Sequence, residues 1–218
     1  MGEQQFECLG VLGARGVAVA AMACDITSRK AVDALLAEVE RGGRSLAGVI
    51  HGAMVLQDGL IANIDAAALD TVIRPKVIGA EHLDAATRAR TLDYFVMFSS
   101  ATTFIGNPGQ GAYVAAKCGV EVLAEVARME LEGTGVRAGV VRPGQTLTGM
   151  GMNLDPHDTE AMLNDWIKHG LARHGNFLAP EHIAQAVAAM VTMPRGAHMR
   201  AVEVEAEGAV PRVGGLAG

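Results

Sequence analysis

The stretch from Asp93 to Val120, DYFVMFSSATTFIGNPGQGAYVAAKCGV, leaves this chain few folds to choose from. Tyr94 to Phe98 is a short apolar, aromatic-rich run closed by Ser99 and Ser100. That is the pattern of a buried strand ending at a polar tip. Asn107, Pro108, Gly109 and Gly111 then break the chain before Tyr113. From Ala112 the spacing turns helical, with Val114, Val120, Val122, Leu123 and Val126 set among alanines.

The same alternation runs along the rest of the chain. Gly10, Gly13 and Gly16 mimic a phosphate-binding loop, but an apolar strand follows them where a helix is needed. Gly13 to Gly16 is therefore read as a helix end and turn. Val17 to Cys24 is expected to be a strand closed by Asp25, with Thr27 or Ser28 capping a helix to about Glu40. Gly42 and Gly43 end that helix, and Leu46 to His51 is the next buried strand. Leu56-Gln-Asp-Gly reads as a loop, and Ala66 to about Ala86 as a helix that Pro75 should kink or restart.

The strand Tyr94–Ser100 and a helix from about Ala112 to Glu132 follow, then a strand Val136–Arg142 stopped by Pro143-Gly144. Gln145 to about Asp155 looks like a loop, and Thr159 to Leu171 like a helix carrying the single tryptophan, Trp166. Pro180 opens a helix over Glu181–Val191, and Ala201–Glu205 is the last strand before a Gly-rich, loose tail. Strands alternating with helices give the α/β class: a Rossmann-like parallel sheet covered by helices on both faces. Right-handed crossovers should fix most of its topology.

At 218 residues, half of them hydrophobic, the chain is one globular domain with a sizeable core. A net charge of −6 with no basic cluster argues against nucleic acid as a partner. No apolar run approaches the ~18–20 residues of a membrane span, and the acidic MGEQQFE start is not a signal peptide. Cys8, Cys24 and Cys118 show neither metal nor disulfide spacing and read as free thiols in a reducing, cytoplasmic setting. His169 and His174 lie in no metal-ligand motif. A homo-oligomer is the expected assembly.

Tyr113 and Lys117 are four apart and share one helix face. An ammonium beside a phenol lowers its pKa from about 10, as a tyrosine needs if it is to trade a proton with a carbonyl near neutral pH. Ser100, at the strand's carboxyl end, can hydrogen-bond the same oxygen, and ligands of open α/β sheets bind at strand ends. Taken alone, Tyr-x-x-x-Lys is most often a helix-surface pair. With the serine and the Gly/Pro loop, the residues resemble the short-chain dehydrogenase/reductase family, whose site is a strand-end serine followed by Tyr-x-x-x-Lys at this spacing.

The likeness runs from about Val17 to Val210. Residues 17–117 look most like ketoreductase domains of modular polyketide synthases, through Val49-Ile-His-Gly-Ala-Met-Val-Leu-Gln-Asp-Gly, Pro75-Lys76 and Phe98-Ser-Ser. From Lys117 onward, Arg142-Pro-Gly-Gln-Thr-Leu-Thr and Pro180-Glu-His-Ile look more like free-standing reductases. The resemblance implies an NADP or NAD cofactor and a small-molecule carbonyl or acyl substrate. It implies Ser100, Tyr113 and Lys117 as catalytic residues, with Lys76 as a fourth. It places Asp25, with Ile26, at adenine, and His51, Gly52 and Ala53 along the cofactor. Pro143, Gly144 and Thr148, with Tyr113 and Lys117, fall at the nicotinamide end. Segment 146–176, with Met150, Met152, Leu154 and Trp166, falls at the substrate lid.

Two departures stand out. Family members carry lysine at one of positions 76 and 117 and asparagine at the other, whereas this chain has lysine at both. One of the two is expected to turn to solvent or to find a carboxylate. The family also begins with a strand, a Gly-x-x-x-Gly-x-Gly turn and a helix that binds pyrophosphate, and nothing before Val17 matches them. The chain thus reads as truncated, starting near the family's third strand. Val17–Cys24 is expected to move inward and pair with Leu46–His51, and nicotinamide cofactor to bind weakly or not at all. The resulting readings are a reductase, a cofactor-poor interaction or structural subunit, and a fragment completed by a partner chain.

Overall fold

The computed structural model describes residues 12–43, 45–57, 59–106, 108–148, 164, 167–170 and 174–208. Trp166, Met150, Met152, Leu154, Asn107, Cys8 and most of the expected helix 159–171 lie outside them. A helical turn at 12–14 ends in Arg15-Gly16, with Gly16 at φ +75°, which is the helix end and turn expected there.

Four parallel strands form one sheet in the order β1-β2-β3-β4. They are β1 (Gly48–His51), β2 (Tyr94–Phe98), β3 (Arg137–Pro143) and β4 (Ala201–Val204). The helices are α1 (Arg29–Arg41), α2 (Ala66–Thr87), α3 (Gly111–Glu130) and α4 (Pro180–Thr192). Ser28 caps α1, its side chain accepting from Ala31 N, and Asp65 caps α2 by accepting from Ala68 N. The α2 helix runs through Pro75 rather than restarting there.

Strand β2 divides the core. Phe95 and Met97 face one way, onto Val32 and Leu36 of α1, Ala80 and Leu83 of α2, and Val120 and Ala124 of α3. Val96 faces the other way with Tyr94 and Phe98, toward Ile183, Val187 and Met190 of α4. Full burial of each such side chain contributes about 1.5–3 kcal/mol. With α4 as its described part, the β3-to-β4 connection runs on the face opposite α2 and α3. It therefore differs in hand from the β1-to-β2 and β2-to-β3 connections, where right-handed crossovers were expected to fix most of the topology.

The amino-terminal side corrects two expectations. Val17–Cys24 forms no ladder, and Val17, Val19 and Met22 are 49%, 42% and 39% exposed. It does not move inward onto β1, so among the described residues no strand pairs with β1 on its outer side. A strand exists through its partner, and apolar composition alone does not create one. Tyr94's ring lies over Gly48 so closely that a Cβ there would meet it at 2.3 Å.

Candidate active site

Helix α3 opens at Gly111, so Tyr113 and Lys117 fall on its first turns and both point into the protein, 9% and 4% exposed. Lys117 Nζ donates to the Phe98 carbonyl at 2.8 Å, tying the helix to the tip of β2. From α2, Lys76 Nζ donates to the carbonyls of Val55 (2.7 Å) and Val72 (3.0 Å). The two ammonium groups lie 5.5 Å (Lys117) and 5.6 Å (Lys76) from the centroid of the Tyr113 ring. Neither lysine turns to solvent, because Lys76 is only 1% exposed. Burial, reinforced by the Lys76 charge, pushes the Lys117 ammonium down to about 8.

Ser100 caps the 3-10 turn Ala101–Phe104. Its Oγ accepts from Thr102 N (3.2 Å) and Thr102 Oγ1 (2.9 Å), and those bonds do not use the serine's own proton. Cys118 Sγ reaches the Thr103 carbonyl at 3.8 Å, so the residue after Lys117 holds the serine's turn against α3. Tyr113, Lys117 and Lys76 are thereby brought together, and Ser100 opens the turn that Cys118 holds against the same helix. Beside them, the buried Ser99 Oγ has no hydrogen-bond partner among the described residues.

The residues expected along a cofactor are more scattered. His51 ends β1, but its Nε2 lies 3.0 Å from the Lys76 carbonyl and its ring packs on Gly79 of α2. Burial holds that imidazole below its usual range, hence neutral. Gly52 and Ala53 are exposed. Asp25 is exposed, and Thr27 donates to it through both backbone and hydroxyl, which holds its carboxyl below the ordinary range. The Ile26 carbonyl lies 3.1 Å from His82 Nδ1. Pro143 pairs with Val204, and a Cβ on Gly144 would meet the Val204 carbonyl at 2.9 Å, so this turn needs glycine. Thr146 Oγ1 donates to the Gly144 carbonyl at 3.0 Å, just before Thr148.

Arg142, quoted above only within a motif, proves to be a junction. Its guanidinium takes both Glu121 carboxylate oxygens at 2.8 Å and lies 4.7 Å from the Phe104 ring centroid. The sequence carried one trace of this: Tyr113, Lys117 and Glu121 follow at successive helical turns. A hollow of about 430 Å³ lined by Glu40, Gly43, Ser45, Leu46, Arg90 and Thr91 includes none of these site residues.

A parallel sheet with helices on both faces and a polar site at its strand ends is the architecture of short-chain dehydrogenases, and the solved structures agree. An N-terminal ketoreductase from the macrolactin assembly line matches with TM-score 0.71 and 22% identity, over 93% of this chain and 37% of that one. A short-chain dehydrogenase from Burkholderia cenocepacia in complex with NADP matches with TM-score 0.79 and 17% identity, over 94% and 82%.

The model of the KR domain family matches residues 2–143, and the chain belongs to that family. The match starts before Val17 and runs past Lys117, so the ketoreductase likeness is longer than residues 17–117. The chain is 43% identical over 112 residues (51% of it) to a phenolphthiocerol/phthiocerol polyketide synthase of Mycobacterium tuberculosis. It is 38% identical over 136 residues (62% of it) to a highly reducing polyketide synthase of Neocamarosporium betae. It spans only 5% and 4% of those two proteins.

The nicotinamide half of a dinucleotide finds one fitting feature among the described residues, a turn at Gly144 with no room for a side chain, since a Cβ there would meet the Val204 carbonyl at 2.9 Å. The pyrophosphate half finds none: the described residues before β1 hold no Gly-rich turn between a strand and a helix N-terminus to receive it.

Proposed function

We propose that this chain reduces a ketone or β-ketoacyl carbonyl with NAD(P)H, using Ser100, Tyr113, Lys117 and Lys76. The observation that carries the reading is the Tyr113 ring flanked by two buried ammonium groups beside the Ser100 turn. Pro143, Gly144 and Thr148 would hold the nicotinamide, which when bound would supply a hydride to the carbonyl carbon. The carbonyl's π electrons pass to its oxygen, which takes the Tyr113 proton while Ser100 donates a hydrogen bond to it. The ammonium groups then hold the phenolate. A small-molecule carbonyl or acyl substrate, a cytoplasmic setting and a homo-oligomer belong to the same proposal.

NADPH oxidation with a panel of ketones tests it. Tyr113→Phe should lower kcat by about 10²–10⁴-fold, the usual worth of a positioned general acid. Equal rates in both proteins would sink the assignment. The isolated chain should hold NAD(P)H weakly, since the described residues before β1 supply no pyrophosphate turn, and a titration giving micromolar affinity would overturn that. A second reading, in which other strands complete the sheet, is supported by the open outer side of β1, where Ile50 is 48% exposed.

A further inference from the structure

Arg142 stands where four parts of the molecule meet. It is the penultimate residue of β3, directly before Pro143-Gly144. Its Nε and Nη2 take the two oxygens of Glu121 at 2.8 Å, a two-point pair that fixes the plane of the guanidinium. Glu121 lies one helical turn beyond Lys117, on the line that starts at Tyr113. Glu203 of β4 approaches Arg142 Nη1 at 3.9 Å. Both members of the Arg142–Glu121 pair are largely buried, with side chains 20% and 18% exposed.

The guanidinium's Cζ lies over the Phe104 ring, 4.7 Å from its centroid. Phe104 is 68% exposed, so the cation beside it adds a tie for this ring to those that Cys118 and the turn's own backbone bonds supply. It is also the last residue of the turn that Ser100 caps, a turn closed by Thr103 N donating to the Ser100 carbonyl at 3.2 Å. The turn is therefore anchored at its far end to a group that is itself anchored to the helix of Tyr113 and Lys117.

We propose that Arg142 is a positioning residue: held by Glu121 and stacked under Phe104, it fixes the Ser100 turn relative to Tyr113 and Lys117. The link rests on the reductase reading only for its catalytic consequence, since the mechanical coupling stands without it. A lysine in its place keeps the charge but loses both the two-point pair and the flat face.

Amide hydrogen exchange of the full chain tests the coupling, alongside ketone reduction with NADPH. Phe104→Leu and Arg142→Lys should each speed exchange of the Thr103 and Ile105 amides by about two- to five-fold, the scale of an exposed cation–π contact. The double variant should go no further than the faster single one, because both cut the same link. Phe104→Tyr should restore the slow rate, and Arg128→Lys, at a partly buried pair further along the same helix as Glu121, should leave it unchanged.

In kinetics, Phe104→Leu should lower kcat several-fold with KM held, and Phe104→Tyr should rescue it. Unchanged exchange, or additive effects in the double variant, would overturn the coupling. Faster exchange without any loss of kcat would overturn its catalytic consequence and confine the link to the fold. If the unsubstituted chain reduces no ketone, the proposed function fails while exchange still decides the link.

Discussion

Strands β1 and β2 pair in register along their whole length, Gly48 with Tyr94 through His51 with Met97, yet they live in different surroundings. Phe95, Val96 and Met97 are at most 2% exposed, enclosed by α1–α3 on one face and α4 on the other. On β1, Val49 packs inward while Ile50 is 48% exposed, and the preceding Val17–Cys24 lies unpaired. The residues expected to do chemistry fall in the enclosed half. Those expected to hold adenine, Asp25 and Ile26, fall in the open half. A proton-transfer site needs shielded charges, and Lys76 and Lys117, 1% and 4% exposed, are shielded in this way.

The largest effect should come from testing the two halves directly. Phe95→Ala should cost about 3–5 kcal/mol of stability in a denaturant titration, as for a large side chain removed from a packed core. Ile50→Ala should change it by less than about 0.5 kcal/mol. A comparable loss at Ile50 would show that something covers β1 in solution, and the contrast between the halves would collapse.

The enclosed half also stores an electrostatic cost that pH can read. Lys117 titrates at about 8 in the folded chain against about 10.4 when unfolded. Below pH 8 it is charged in both states, and the burial penalty is present in full. Between about pH 8 and 10.4 the unfolded chain binds the proton and the folded chain does not, so stability should rise with pH, by up to about 3 kcal/mol. Lys117→Met should remove that rise. A flat difference between the two proteins across this window would mean that Lys117 is not shielded as its 4% exposure implies.

Kinetics sharpen the same point. Lys117 and Lys76 lie at nearly the same distance from the Tyr113 ring, 5.5 and 5.6 Å, so neither outranks the other by geometry. Lys117→Ala and Lys76→Ala should each lower kcat by up to about a hundredfold, since an ammonium at that range stabilises a phenolate by about 3 kcal/mol at an effective dielectric near 20. A small effect at one of them would show that a single lysine governs the tyrosine.

What could be read from the sequence followed what is local. The cap Ser28, the apolar runs of β2 and β3 and the Tyr-x-x-x-Lys helix are set by neighbours a few residues away, and their boundaries moved by only one or two positions. Val17–Cys24 was misread because apolar composition is the same whether or not a partner strand exists. The second lysine was misjudged for a similar reason. Lys76 reaches Tyr113 only because α2 and α3 pack side by side, and spacing along the chain holds no trace of that. Arg142 under Phe104 spans β3 and the Ser100 turn and was equally hidden.

The smallest expected effect asks whether α1, the part of the enclosing shell that follows the unpaired segment, unfolds by itself. Ser28→Ala removes the N-cap of α1, and Asp65→Ala removes that of α2, each worth about 1 kcal/mol. The α2 helix is locked by Val72, Ala80 and Leu83 in the enclosed core, so its cap should be felt in global unfolding. The α1 helix buries only Val32 and Leu36 and lies beside the unpaired segment. If α1 opens locally before the rest, Ser28→Ala should speed amide exchange within 29–41 by about fivefold while the global midpoint hardly moves. Equal shifts of the global midpoint for both variants would mean that α1 unfolds with the rest, and the open edge would then be a feature of shape without a separate stability of its own.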